Sequence, residues 1–136
     1  MTNPAKRTSS RAVLIGAEPQ LFVSDIKASC DFFAAKLGFT IVHVYGDPPF
    51  YGQVSRDGAR LNLRHLDRMP FDSELRRSEP DLLSATITVD DIEQLCNEFQ
   101  ASGAPFHQAL KTEPWGARTF IIRDPDQNLL LFASAG

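Results

Sequence analysis

Residues 23–38 read VSDIKASCDFFAAKLG, and residues 89–103 read VDDIEQLCNEFQASG. Within residues 23–33, five positions hold the same amino acid as the position 66 residues later, and these are Val23, Asp25, Ile26, Cys30 and Phe33. Each stretch places an aspartate before an apolar helical pattern and a glycine after it, which are typical N-cap and C-cap signals. The repeat therefore predicts two copies of one strand–helix unit.

Strand-like segments follow both predicted helices. They are FTIVHVY (39–45), FYGQVSR (50–56), ARLNLRH (59–65), WGARTFIIRD (115–124) and LLLFAS (129–134). The pair Asp57-Gly58 is a hairpin signal between the second and third of these. The segment PFHQALKTEP (105–114) is irregular in pattern, and we expect a short strand and a loop there.

These elements predict an α+β fold of two βαβββ modules, at about 12–66 and 82–134, within a single domain at 12–136. The charged, proline-punctuated stretch 67–81 is predicted to be a linker. Residues 1–11, MTNPAKRTSSR, are predicted to be a disordered tail.

The composition excludes some classes of function. The chain has 136 residues, is 43% hydrophobic, and carries a net charge of −3, without the basic excess typical of nucleic-acid binders. Neither a signal peptide nor a membrane-spanning apolar run is visible, so the expectation is a cytoplasmic protein without membrane contact.

The cysteines and histidines do not form a metal motif. Cys30 and Cys96 lack CxxC spacing and lie on apolar helical faces, so they are predicted to be reduced and buried. His43, His65 and His107 have neither HxxxH nor HxH spacing and are predicted to be ordinary surface or core histidines.

The motifs VSDIKASCDFFAAKLGF, VDDIEQL…GA and RDPDQNLLLF resemble the vicinal oxygen chelate superfamily, which includes glyoxalases, bleomycin resistance proteins and dioxygenases. The resemblance covers about residues 16–133. Within that group, AEPQLFVSDI and PWGARTFIIRDPDQNLLLF resemble bleomycin-binding proteins. The resemblance implies eight strands in two curved mixed sheets around a shared groove. It also implies a homodimer, with the N-terminal arm exchanged between subunits near Pro19.

Enzymes of this superfamily hold a divalent metal on four strands, and the resemblance implies that the corresponding positions here are Glu18, Asn62, Ser84 and Leu131. One carboxylate, one amide, one hydroxyl and one alkyl group are a poor set for a divalent cation. We therefore expect no metal and no other cofactor. Glu18 acting alone as a general base is the remaining catalytic option.

The groove is expected to bind a ligand through non-covalent contacts. By strand alternation, Asn62 and Arg64 share one face, and Ser84 lies on the equivalent face of the fifth strand, although these faces could also simply meet solvent. Phe50 and Trp115 are candidate stacking walls, with a core or edge aromatic as the alternative for Trp115. Arg118 and Arg64 are candidate partners for a carboxylate or sulfate.

The sequence therefore favours a metal-independent binding protein of the bleomycin-resistance type that sequesters an aromatic or antibiotic ligand in the dimer groove. One alternative is a glyoxalase-like lyase or isomerase, or a dioxygenase-related enzyme, with a metal held elsewhere. Another is a structural or regulatory subunit with a vestigial groove. Because no catalytic group is predicted, binding is favoured over catalysis.

Overall fold

The computed structural model describes residues 10–68 and 72–135. Its elements are β1 (Gln20–Val23), α1 (Ile26–Leu37), β2 (Thr40–Gly46), β3 (Pro49–Arg56), β4 (Ala59–His65), α2 (Ser73–Ser78), β5 (Ala85–Val89), α3 (Ile92–Ser102), β6 (Phe106–Thr112), β7 (Arg118–Arg123) and β8 (Leu129–Ser134). Most of the predicted disordered tail, residues 1–9, lies outside the described residues. Residues 10–19 form neither helix nor strand.

The strands form two four-stranded sheets with the same topology. Sheet A has the order β1-β4-β3-β2, and sheet B has the order β5-β8-β7-β6. The first strand of each module runs parallel to its neighbour, and the other pairs are antiparallel. The predicted α+β class, with two βαβββ units, is confirmed.

The repeated cap signals act as predicted in both long helices. Asp25 accepts a hydrogen bond from the Ala28 amide at 3.0 Å, and Asp91 accepts one from the Gln94 amide at 3.0 Å. Gly38 and Gly103 end the helices with φ values of 72° and 76°, which glycine adopts without a Cβ penalty.

One apolar core joins the two modules. α1 and α3 pack against each other between the two sheets. Phe33 of α1 and Phe99 of α3 are both almost fully buried in this core. At the ends of these helices, the Ser102 hydroxyl donates to the Lys36 carbonyl at 2.6 Å, and Lys36 Nζ donates to the Ser102 carbonyl at 3.1 Å. Each sheet therefore turns its second face, called here its outer face, away from the helices.

The structure corrects two expectations about secondary structure. The irregular segment 105–114 contains the seven-residue strand β6, which pairs with β7 despite two register shifts. The linker contains the short helix α2, whose N-cap Asp72 accepts from the Glu74 amide at 2.9 Å. β6 forms because β7, a segment later in the sequence, pairs with it, whereas α2 begins at a local cap.

Among the described residues, no helix is long and apolar enough to cross a bilayer.

Candidate functional site

The outer face of sheet A carries two transverse rows of side chains. Strand register places Gln20, Asn62, Gln53 and His43 side by side in the first, which is called here the amide row. The same register places Phe22, Arg64, Tyr51 and Tyr45 side by side in the second, called here the aromatic row. Cross-strand neighbours on one face lie close enough for one ligand to contact them together.

A hydrogen-bonded network holds Glu18 against the amide row. Gln53 Nε2 donates to Asn62 Oδ1 at 2.7 Å, and Asn62 Nδ2 donates to Glu18 Oε1 at 3.1 Å. Gln53 Nε2 also lies 3.3 Å from Glu18 Oε1, and an Arg60 guanidinium nitrogen lies 3.8 Å from Glu18 Oε2. Gln53 and Asn62 are 8% and 7% exposed, whereas the Arg60 and Glu18 side chains are 54% and 38% exposed, so the amide pair is buried and the carboxylate reaches solvent. The Glu18 charge is balanced within the protein.

These contacts test the donor set that the family's metal would require. Asn62 turns its oxygen to Gln53 and its NH2 group to Glu18, so its acceptor is already engaged. Ser84 lies in sheet B's module and donates its hydroxyl to Asn128 Oδ1 at 2.9 Å. Leu131 offers no donor atom. In the part of the chain that the structure describes, no group of three or more His, Cys, Asp or Glu side chains could hold a metal ion. The residues at these positions do not fit a divalent cation.

Three rings cluster at the outer edge of the two rows. The His43 and Tyr51 rings are stacked with centroids 5.7 Å apart, and the His43 and Tyr45 centroids lie 4.8 Å apart. His43 Nε2 is buried without a hydrogen-bond partner among the described residues. Tyr45 is 57% exposed, and its ring is open to contact from outside.

The two predicted stacking residues lie at hairpin ends. Phe50 is close to the β2–β3 turn and is 54% exposed, and Trp115 is in the β6–β7 turn and is 75% exposed. Neither ring contacts another aromatic ring within the described residues. Within one chain they do not form a sandwich.

The two predicted arginines have different environments. Arg64 is exposed in the aromatic row, as expected from strand alternation. Arg118 shares the helix-facing side of β7 with Phe120, and its guanidinium contacts Glu93 of α3. The structure therefore does not bring Arg118 to the other candidate residues.

A cavity of about 490 Å³ lies between the modules and is separate from the two rows. Ala17 and Pro19 of the arm line it on one side, and the free edge of β5 and the start of α3 line it on the other. Its apolar walls include Phe39, Leu95 and Phe99.

The Asp124-Pro125-Asp126 turn ties the second module to the first. Asp126 Oδ1 accepts from the Ser24 amide at 3.1 Å, and Asn128 Nδ2 donates to the Phe22 carbonyl at 3.0 Å. Asp124 is 3% exposed, and burial raises its pKa to about 6, although hydrogen bonds from Asn128 and from the Asp126 amide oppose this shift. This buried carboxyl supports the fold and does not face the two rows.

Sequence reasoning missed Gln53, Tyr45 and His43 as members of this surface. A signal for Gln53 was available, because the Asp57-Gly58 turn sets the β3–β4 register and so places residue 53 opposite Asn62. No equivalent signal exists for His43, since β2 contains a register shift between Ile41 and His43.

Comparison with known proteins gives a consistent family result. A family model described as the Glyoxalase/Bleomycin resistance protein/Dioxygenase superfamily matches residues 15–132. A bleomycin resistance protein of Geobacillus stearothermophilus is 29% identical over 124 residues, which is 84% of this chain and 92% of that protein.

Solved structures share the fold at low sequence identity. A bleomycin-binding protein from bleomycin-producing Streptomyces verticillus, complexed with copper(II)-bleomycin, aligns with a TM-score of 0.72 and 24% identity, covering 93% of this chain and 100% of that one. A glyoxalase-related enzyme from Clostridium phytofermentans aligns with a TM-score of 0.72 and 18% identity, covering 94% and 100%. Because binding proteins and enzymes share this fold, function has to be argued from the site.

Proposed function

The chain belongs to the glyoxalase/bleomycin resistance protein/dioxygenase superfamily, and from this premise we propose that it is a metal-independent binding protein of the bleomycin-resistance type. It sequesters a small aromatic or antibiotic ligand on the outer faces of its sheets. The curated relatives named as bleomycin resistance proteins support this assignment over an enzymatic one.

The engaged state of the metal-position residues carries the proposal. Glu18 and Asn62 are hydrogen-bonded to each other and to Gln53. Ser84 bonds to Asn128, and Leu131 has no ligand atom. A superfamily enzyme needs a cation at this place to polarise its substrate. Without a cation, this surface can still hold a ligand through its shape, its aromatic rings and its hydrogen-bonding groups. Binding proteins recognise small molecules through these same features.

The proposal includes a homodimer with exchanged N-terminal arms. Val13, Leu14 and Ile15 are 63%, 96% and 96% exposed, which is unfavourable for three consecutive apolar side chains in a lone subunit. The cavity beside Pro19 has apolar side chains such as Phe39 and Leu95 in its wall, together with charged ones such as Arg56 and Glu98, and it borders the free edge of β5. An arm from a second copy would bury its side chains there and supply a strand partner for β5.

The dimer would also complete the ligand groove. Phe50 and Trp115 belong to different modules and do not meet within one chain. In a dimer, sheet A of one subunit could face sheet B of the other, so that Phe50, Asn62 and Arg64 oppose Ser84 and Trp115 across one ligand. Arg118, which contacts Glu93, has no part in this version of the site.

A cytoplasmic location is part of the proposal. Cys30 and Cys96 are free and buried, and burial raises the pKa of both thiols. Unpaired thiols of this kind are compatible with a reducing compartment.

Calorimetric titration with a panel that contains metal-free and copper-loaded bleomycin and other planar natural products tests the proposal. Trp115 is the only tryptophan, so its fluorescence reports on the groove in the same experiment. We expect saturable binding and a change in emission, with Trp115→Phe keeping part of the affinity and Trp115→Ala losing about tenfold through the lost ring contact. Leu75→Ala, an exposed apolar residue on α2, is the control that should bind normally.

Two results would contradict the proposal. One is the absence of both heat and fluorescence change with bleomycin and with other planar natural products. The other is elemental analysis that finds one tightly bound metal ion per subunit in protein purified without chelators. The second result would favour a glyoxalase-like enzyme instead.

A further inference from the structure

We infer that the ligand of this protein is an aromatic anion, recognised by Arg64 within the aromatic row. This inference rests on the proposed binding function and goes beyond it by naming the charge and shape of the ligand. It follows from the charges that remain unbalanced on the outer face of sheet A.

The acidic group on this face already has partners within the protein. The Glu18 carboxylate accepts hydrogen bonds from two buried amides and lies 3.8 Å from the Arg60 guanidinium. A ligand cation at this position would have to compete with Arg60 and disrupt the Gln53–Asn62 pair. The network therefore leaves little attraction for a positively charged ligand.

Arg64, in contrast, has no partner. It is exposed, and within the described residues neither an ion pair nor a hydrogen bond reaches its guanidinium. The nearby Asp67 pairs with His65 at 2.7 Å. A free guanidinium offers a planar fork of donors that matches a carboxylate, sulfonate or phosphate group.

The neighbours of Arg64 define the rest of the ligand. In strand register, Phe22 and Tyr51 flank it directly, and Tyr45 follows Tyr51 across the sheet. Phe22 is 42% exposed and Tyr45 is 57% exposed, so both present ring surface beside the free cation. A flat aromatic body with an acidic substituent would contact the rings while its anionic group reaches Arg64.

The outer face of sheet B supports the same conclusion. Thr86 and Thr88 are exposed there and carry no charge. The acidic Glu113 accepts from Thr119 Oγ1 at 2.8 Å and lies 3.6 Å from Lys111 Nζ, so its charge is also balanced within the protein. Arg123 shares the outer side of β7 with Thr119 and Ile121, so the unbalanced charge on the outer faces is positive, and Arg64 is the cation that lies within the aromatic row.

Three probes with one ring system and different charge test the inference: 2-naphthoate, 2-naphthamide and 2-naphthylmethylammonium. On the wild-type protein we expect 2-naphthoate to bind about tenfold more tightly than the amide, and the cation to bind most weakly. The preference for 2-naphthoate should decrease as salt is added, because the guanidinium is exposed.

Variants separate the charge from the rings. Arg64→Gln should make 2-naphthoate and 2-naphthamide bind equally, and Arg64→Lys should keep most of the preference. Arg77→Gln removes the same charge from the exposed face of α2 and should leave the preference unchanged. Tyr45→Leu should weaken both probes by the same factor, since it removes ring contact alone.

The outcomes distinguish the two proposals. Equal binding of the three probes to the wild-type protein, or a preference for 2-naphthoate that survives Arg64→Gln, overturns the inference and leaves the binding function intact. Failure of all three probes and of bleomycin to bind overturns both. Tighter binding of the cation would reverse the assignment of ligand charge.

Discussion

At the scale of single residues, buried polar groups determine what the outer face of sheet A can do. Asn62 joins Glu18 and Gln53 while it is 7% exposed. A buried amide in such a network stabilises the fold only as long as both partners stay in place, because an unsatisfied buried donor or acceptor is costly. The residue at a family metal position therefore has a structural role in this chain.

We expect Asn62→Ala to lower the free energy of unfolding by about 1–3 kcal/mol, because it leaves the Gln53 amide and the Glu18 carboxylate with fewer partners. Urea unfolding measures the change. Asn97→Ala, at an exposed position of α3, is the matched control and should change stability by less than about 0.5 kcal/mol. Equal effects of the two variants would contradict the role assigned to Asn62.

Asp124 predicts a pH dependence of stability. Its pKa is raised to about 6, above its usual value of 3.8, so the folded state favours the protonated form. The stabilising contribution is thus present below about pH 4 and is lost as the pH rises through about 6. Relative to Asp124→Asn, the wild-type protein should lose on the order of 1–3 kcal/mol between pH 4 and pH 7.

Urea unfolding at several pH values checks this expectation. Asp57→Asn is the matched control, because Asp57 occupies the corresponding turn of the first module and its side chain is 93% exposed. If the free energy of unfolding varied with pH in the same way for the wild-type protein and for Asp124→Asn, the Asp124 carboxyl would not titrate in this range.

At the scale of elements, α1 lies directly on β3 because β3 has a glycine at the contact. A Cβ at Gly52 would lie 3.1 Å from Ile26 Cγ2 and 3.4 Å from Cys30 Sγ. The close approach lets the helix cover Val54 and Leu61, which are almost fully buried. A larger residue would push the helix away from sheet A.

Gly52→Ala should therefore lower the free energy of unfolding by about 1 kcal/mol through overpacking. At Gly58, a Cβ would meet nothing within 4 Å, so Gly58→Ala is the control and should be close to neutral. Chemical denaturation of both variants gives the comparison. If Gly52→Ala were as stable as Gly58→Ala, the helix–sheet contact would be looser than described.

At the scale of the whole molecule, the back-to-back packing of α1 and α3 directs both outer faces to the surface of a single chain. The arm residues Leu14 and Ile15 are each 96% exposed, and the arm residues Ala17 and Pro19 line the cavity between the modules. Association through exchanged arms would remove this surface from water and bring two outer faces together. Folding stability would then depend on protein concentration.

We expect the melting temperature to rise with protein concentration, and sedimentation to report a dimer. The double variant with Leu14→Asp and Ile15→Asp should sediment as a monomer and melt at a temperature independent of concentration, because two carboxylates cannot be buried against a second subunit without cost. Ser10→Asp, which adds a charge at the exposed start of the described arm, should remain dimeric. A dimer that persists in the double variant would exclude the arm as its basis.

The sequence by itself determined the features that depend on near neighbours. The repeat, the capping of the helices by Asp25 and Asp91, and the burial of Leu61 and Leu63 beneath α1 follow from periodicity and local hydrogen bonding. The assignment of Glu18, Asn62, Ser84 and Leu131 to the family metal positions follows from the resemblance of the motifs and stays a prediction.

Only the tertiary structure decided which of these residues meet. Phe120, Ile121 and Ile122 are consecutive apolar residues of β7, so alternation could not assign Arg118 to a side, and contact with Glu93 places it on the helix side. β6 needed β7 to become a strand, and the pairing of Gln53 with Asn62 needed the β3–β4 register. Such contacts depend on how distant segments pack, which patterns within a few residues do not encode.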